Sequence, residues 1–135
     1  MADHSLAMRR AVVQHLLQGS VSGMVGGRIY GEEAPENSEL PFIRYGLPVT
    51  TPYESSCGRG SQHSIVVHVF AQGPYTDLVA SIASAVVSSL DDSSLPVDPL
   101  RLLGISWTGT RIIRDTAEMS SYHAIVSLTA QTIGD

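Results

Sequence analysis

The stretch that decides the fold is SQHSIVVHVFAQGPYTDLVASIASAVVSSL, residues 61–90. Its first part, residues 64–70, carries β-branched side chains at a period of two, which predicts a half-buried strand. Gln72-Gly73-Pro74 ends that strand, because proline has no N–H for a ladder and glycine permits a turn. A helix capped by Thr76 follows, with apolar residues at helical spacing: Leu78, Val79, Ile82, Val86 and Leu90. This strand–turn–helix unit predicts the nucleus of an α+β core.

The flanking segments add a second helix and the remaining strands. A helix is predicted at Ser5–Gln18, with Leu6, Val12, Val13, Leu16 and Leu17 as its apolar residues. Further strands are predicted at 28–30, 42–45, 102–113 and 122–133, the last two forming an antiparallel hairpin. Residues 1–135 are therefore expected to form a single domain, a mostly antiparallel sheet of four to five strands with two helices packed on one face.

One segment between two predicted strands lacks any periodicity. Residues 48–60, PVTTPYESSCGRG, are rich in turn residues and exceed the two to five residues of an ordinary hairpin loop. The sequence therefore predicts a long flexible loop at 48–60 that becomes ordered against a partner.

The composition limits the classes of function. The formal net charge is −5, and every cationic side chain is an arginine because the chain has no lysine. A negative balance disfavours gripping phosphate backbones, although DNA can still pass by as cargo. No apolar run approaches the roughly 20 residues of a membrane helix, so no membrane partner is expected. The single Cys57 excludes an intramolecular disulfide, and folding in the cytoplasm is expected.

The sequence offers little for catalysis. His63 and His68 are five residues apart, so a regular strand places them on opposite faces. His68 and His123 could meet across adjacent strands, but two histidines without a third ligand do not make a catalytic zinc centre. Cys57 has no identifiable partner base. We therefore predict no catalytic residues, no cofactor and no metal, and a protein that is not an enzyme.

Two sets of side chains suggest contacts between subunits. On the second helix, Ser81, Ser84 and Ser88 form a small, uncharged stripe where charged residues are usual on an exposed face. The alternative is an exposed helix that is merely rich in serine. Arg44, Arg59, Arg111 and Arg114 are candidates for pairing with the acidic segment 32–39 of a neighbouring copy.

The order of several short motifs resembles a known family. GGRIYGEEAPENSELPFIRYG (26–46), QHSIVVHVFAQG (62–73), the helix ending at Leu90, LLGISW (102–107) and the closing strand are similar in succession to the tail-completion or tail-terminator proteins of long-tailed phages and gene transfer agents. The resemblance spans nearly the whole chain. The connector 91–99 is longer than usual in that family.

The resemblance implies an α+β subunit of a homo-oligomeric ring, a hexamer, at the head–tail junction of a virion or phage-like particle. Such a ring caps the head-proximal end of the tail tube, stops tube polymerisation and joins the tail to the head connector, while DNA passes through its lumen. We expect Tyr53, Glu54 and Arg59 of segment 48–60 to contact the tube or the connector. The alternatives are a head-completion or stopper protein of the same connector, and a small α+β enzyme or ligand-binding domain.

Overall fold

The structure, a computed structural model, describes residues 3–56, 58–114 and 121–134. Within these ranges the chain forms three helices and six strands. In chain order they are α1 (Ser5–Gln18), α2 (Val21–Met24), β1 (Ile29–Tyr30), β2 (Phe42–Tyr45), β3 (Val49–Ser55), β4 (Gly58–Gln72), α3 (Asp77–Leu90), β5 (Arg101–Arg114) and β6 (Ser121–Ile133). Both long helices occupy the residues predicted for them. Thr76 is the N-cap of α3, as predicted, although its side chain makes no capping hydrogen bond.

The strands form one open, mixed sheet. Its order is β1-β2-β4-β6-β5, and β3 also pairs with β4. The β1–β2 pair is parallel and the other pairs are antiparallel. β2 and β3 lie one after the other along the same side of β4, because they pair with different halves of it. The predicted α+β class is confirmed, but the sheet has six strands instead of four to five, and the short α2 was not predicted.

Segment 48–60 is where a strand was missed. β3 and the beginning of β4 form an antiparallel hairpin, in register from Val49↔Ser64 to Ser55↔Gly58. The prediction of a long loop was therefore wrong, while its flexibility stays a prediction. An edge strand with little burial does not need apolar alternation, and it tolerates Pro52. Cys57 lies outside the described residues.

The helices cover one face of the sheet, and the core lies between these two layers. Buried residues alternate along β4 and along β6, as predicted for β6. The helices complete the core with Met8, Val12 and Leu16 of α1 and with Val79, Ile82, Ala83, Val86 and Leu90 of α3. Leu6, Leu17 and Leu78, predicted as core residues of the helices, are instead exposed. They lie at the margins of apolar stripes that are narrower than the sequence indicated.

β5 departs from regular alternation. The β5–β6 register shifts between Leu102 and Gly104 and again between Trp107 and Gly109. At each shift β5 has one residue more than β6, so the side chains of β5 that follow point to the opposite face from the one that strict alternation predicts. Ile105 and Trp107 lie between the two shifts, opposite the buried Ala130 and Leu128, and share the core face of β5; Ile105 is buried there and Trp107 is 46% exposed.

A close approach of two strands at Gly60 generates a stability prediction. A Cβ at Gly60 would overlap the carbonyl oxygen of Thr132 and lie 2.7 Å from Ile133 Cα. Gly60→Ala must therefore push β4 away from β6, and we expect it to lower the free energy of unfolding by about 2 kcal/mol or more. Chemical denaturation measures this difference.

The matched control is Gly23→Ala in α2. No atom lies within 4 Å of a Cβ built there, and alanine suits a helix better than glycine. We expect this control to leave stability unchanged or slightly raised. Equal stability of both variants would contradict the contact at Gly60.

Candidate functional site

The eight residues predicted at interfaces lie in three separate places. Tyr53, Glu54 and Arg59 are on the β3–β4 hairpin, three serines are on α3, and two arginines are near the end of β5. Of these residues, the structure brings Glu54 and Arg59 together: they are register partners, with Arg59 Nε 3.1 Å from Glu54 Oε1. Both side chains are largely exposed, so this ion pair adds little to stability.

The serine stripe is present as predicted. Ser81, Ser84 and Ser88 are all exposed on α3, on the side opposite its buried residues. The exposed surface of this helix is therefore small and uncharged along most of its length, with Asp77 at its first turn. Such a surface permits close approach of another molecule.

The two arginines of β5 lie on opposite faces of the sheet. Arg111 is opposite Ile125 in the register and belongs to the face that the helices leave open. Arg114 is opposite Tyr122, and its Nη2 donates a hydrogen bond to the Tyr122 hydroxyl at 3.2 Å. The pair therefore does not form one basic patch.

The acidic segment 32–39 is partly engaged within the subunit. Arg9 Nη1 lies 2.6 Å from Glu32 Oε1, and Arg28 Nη1 lies 3.6 Å from Glu39 Oε2. These two arginines, which the sequence analysis did not consider as partners, hold the segment against α1 and β1. Pairing of the whole segment with a neighbouring copy would have to compete with these contacts.

The open face of the sheet carries an aromatic cluster that the sequence analysis missed. The Phe42 and Phe70 rings stack at 4.8 Å, and Phe70 stacks on His123 at 4.1 Å between centroids. Tyr30 packs edge-on against Phe42, and the Arg44 guanidinium lies 5.7 Å from the Phe70 centroid. The signal was available in the even-numbered positions of β4, but the cluster needs the register of β2, β4 and β6.

His68 and His123 do meet across β4 and β6. Nδ1 of His68 lies 2.7 Å from Nε2 of His123. Burial, then the Arg44 guanidinium, then His123 lower the pKa of His68 to about 4. His68 is therefore neutral at pH 7. His63, on the same strand, is fully buried on the opposite face, as the spacing predicted.

The open face is also poor in negative charge. Among the six strands, Glu54 is the one residue with a carboxylate, and its register position opposite Arg59 is on the other face. The acidic residues that the structure describes otherwise lie in loops and at helix ends. The open face therefore carries hydroxyl, amide, aromatic and arginine side chains. These groups suit contacts with another protein surface better than they suit catalysis on a small molecule.

Neither a metal site nor a membrane-spanning helix is present within the described ranges. No group of three or more His, Cys, Asp or Glu side chains there is placed to hold a metal ion. None of the described helices is long and apolar enough to cross a membrane.

Solved structures share this fold, and two of them are compared with the chain below. A chain of a structure entitled "Virion of native gene transfer agent (GTA) particle" superposes with a TM-score of 0.86 at 19% identity, covering 99% of this chain and 100% of that one. A chain of "Structure of bacteriophage SPP1 gp17 protein" gives a TM-score of 0.64 at 22% identity, covering 97% and 91%. At these identities the likeness establishes the fold. No curated protein matches the chain.

The family match supplies the class of protein. The chain is a structural virion protein, and its family and structural neighbours are not enzymes. It belongs to the family described as "Tail completion protein gp17", which matches residues 10–132. The resemblance seen in the sequence is thereby confirmed, and so is the prediction of a non-enzymatic protein.

The contacts of His68 lead to a prediction about its pKa that an NMR titration can test. Because its pKa in the folded protein is about 4, His68 binds a proton less readily than in the unfolded chain. Its contribution to stability is complete above about pH 6.5 and is lost as the pH falls toward 4. Arg44→Gln removes the nearby cation, so we expect the pKa of His68 to rise in an NMR titration.

Arg111→Gln is the control for this measurement. Arg111 is on the same face but is not among the groups that act on His68. Its removal should leave the His68 titration unchanged. An identical titration in Arg44→Gln and the unmodified protein would show that Arg44 has no such effect.

Proposed function

We propose that this protein forms a homo-oligomeric ring, a hexamer, that caps the head-proximal end of a tail tube, stops its polymerisation and joins the tail to the head connector. The observation that carries the proposal is the family match over residues 10–132. The full-length fold likeness to a chain of a gene transfer agent virion supports it. The protein would fold in the host cytoplasm and reside at the head–tail junction, with DNA passing through the lumen as cargo.

A ring requires two different surfaces on opposite sides of each subunit, because its interface is heterologous. The sheet has two different edges, with β5 on one side and β1 and β3 on the other. α3 packs next to β5. Its exposed serines would let a neighbouring subunit approach closely beside that edge.

Trp107 supplies an anchor for the same side of the subunit. Its indole Nε1 donates to Thr110 Oγ1 at 2.9 Å, and its backbone N donates to Asp91 Oδ1 at 2.8 Å. The polar group of the half-exposed ring is therefore satisfied within the subunit, so burial of the ring would leave no unpaired donor. Fixed aromatic side chains of this kind are typical interface anchors.

The ring interface is tested by adding bulk and charge to the serine stripe. We expect Ser84→Arg to convert rings into monomers without loss of folding, and Trp107→Ala to weaken assembly by about 2 kcal/mol or more per interface. Light scattering coupled to size exclusion measures the mass, and circular dichroism checks the fold.

Gln14→Arg on α1 is the matched control. Gln14 is an exposed residue of another helix and belongs neither to the serine stripe nor to β5, so this change should leave the ring intact. Rings of unchanged stability in both Ser84→Arg and Trp107→Ala would overturn this choice of interface. A monomeric unmodified protein at high concentration would argue against the ring itself.

The β3–β4 hairpin is the proposed contact with the tube or the connector. It presents Tyr53, Glu54 and Arg59 on a paired backbone, which lowers the entropy lost on binding relative to a flexible loop. The exposed Glu54–Arg59 pair can be exchanged for partner groups at little cost to the subunit.

Shortening this hairpin tests the contact. Replacing residues 53–59 with Asn-Gly keeps Gly60 and the pairs from Val49 to Pro52, and it leaves a short turn. We expect a folded protein whose particles lack joined heads and tails. Electron microscopy of particles made with the variant gives the answer.

The kind of defect seen in particles of the shortened-hairpin variant also distinguishes a tail terminator from a head stopper. Headless tails or tails of uncontrolled length would support a terminator, while normal tails with leaking heads would support a stopper. Normal particles would contradict the role of the hairpin. The Glu54→Gln, Arg59→Gln double variant, which preserves hairpin length, shows whether charge or shape is recognised.

A further inference from the structure

A chain of polar side chains runs through the core beneath the hairpin. It starts at Asp3, continues through Ser5 at the start of α1 and Thr50 of β3, and ends inside the core. The Ser5 and Thr50 hydroxyl oxygens are 2.9 Å apart, and Thr50 Oγ1 is 3.3 Å from His63 Nδ1. His63 Nε2 is 2.9 Å from Thr132 Oγ1, which is 3.0 Å from His4 Nδ1. His4, His63 and Thr132 are all at least 97% buried, with exposures of 3%, 0% and 0%.

Each hydroxyl in this network has one hydrogen to donate, and an imidazole nitrogen accepts only when it carries no hydrogen. Ser5 Oγ donates to Thr50 Oγ1 and also lies within hydrogen-bond distance of the Asp3 carboxylate, which only accepts. Neutral His63 therefore donates from one ring nitrogen and accepts at the other, between the Thr50 and Thr132 hydroxyls.

Two consequences follow for the histidines. In its neutral form His63 has one accepting and one donating ring nitrogen, and His4 Nε2 is buried without a partner among the described residues. Protonation of His63 would turn both of its ring nitrogens into donors. One of its two hydroxyl partners would then have no acceptor for its hydrogen.

The charged and titratable groups around His63 do not compensate for the cost of protonating it. Burial, and then the neighbouring His4, lower the pKa of His63 to about 4, with Asp3 as the opposing influence. On the packed elements, Arg9 of α1 is paired with Glu32, and Glu54 of β3 is paired with Arg59 of β4. His68 of β4 and His123 of β6 bind each other on the open face.

We propose that these hydrogen-bonded side chains form an acid-sensitive latch. At neutral pH the latch binds the N-terminal segment and the β3–β4 hairpin to the sheet, and it releases them when His63 takes up a proton. The latch joins four parts of the fold: the segment before α1, the start of α1, β3 and the central strands β4 and β6. It does not depend on the proposed ring or on any partner.

The bond directions are tested first in the unmodified protein. Long-range ¹H–¹⁵N NMR correlations distinguish the two neutral imidazole tautomers, and free histidine favours the proton on Nε2. We expect His63 to be neutral at pH 7.5, with a single tautomer fixed by its two hydroxyl partners. A doubly protonated ring, or a mixture of tautomers like that of free histidine, would overturn the proposal.

Release is tested by hydrogen exchange of the amides in α1 and β3, corrected for the intrinsic rate at each pH. We expect the opening equilibrium to rise about tenfold per pH unit as the pH falls from about 6.5 toward 4, since one proton is bound on opening. His63→Gln keeps polar groups at the site but does not titrate, so its slope should be lower by one proton than that of the unmodified protein.

His15→Gln is the control, because His15 bonds to the Ser89 carbonyl oxygen outside the chain. It should keep the slope of the unmodified protein. A slope retained in His63→Gln would overturn the latch. If His63→Gln does not fold, Thr132→Val removes the shared hydroxyl. Opening of α1 and β3 that is already raised at pH 7.5 in Thr132→Val would then support the latch, and opening unchanged at that pH would overturn it.

Discussion

The pairing of β4 with β6 is the constraint on which the rest of the structure depends. Thirteen consecutive register pairs join these strands, from Gly60↔Ile133 to Gln72↔Ser121. β2 and β3 add to the outer side of β4, and β5 adds to the outer side of β6. A slip of one residue would exchange the two faces of a strand, so this register decides which side chains meet α3 and which stay open.

The helices and strands that could be predicted from the sequence are those that bury one face along their whole length. β6 alternates because one face packs in the core throughout its length, and α1 and α3 each have one buried stripe. β3 was missed for the opposite reason. It lies at an edge with both sides largely exposed, so burial imposes no pattern on it, and Pro52 looks like a turn residue. The turn signals in 48–60 belong to a hairpin.

The features of the candidate site also differ in how far they could be predicted from the sequence. The serine stripe depends on one helix alone, and its exposure was predictable from 3.6-residue spacing. The aromatic cluster depends on the register of three strands, and the pairing of Arg9 and Arg28 with the acidic segment depends on tertiary contacts. Neither has a local signature. The two arginines of β5 were grouped because they are near in sequence, whereas a separation of three residues puts them on opposite faces of the strand.

The same geometry explains why two histidines of β4 are neutral for different reasons. His63 faces the core, where burial and then the neighbouring His4 disfavour its charged form, and both of its ring nitrogens lie against hydroxyl groups. His68 faces the open side, where burial against the aromatic cluster and the Arg44 cation disfavour its charged form. Acid would therefore act on both faces of one strand, through a lost acceptor on one side and through repulsion on the other. Because β2 and β3, which carry Arg44 and Thr50, both pair with β4, the neighbours of the two histidines include both strands on the outer side of β4.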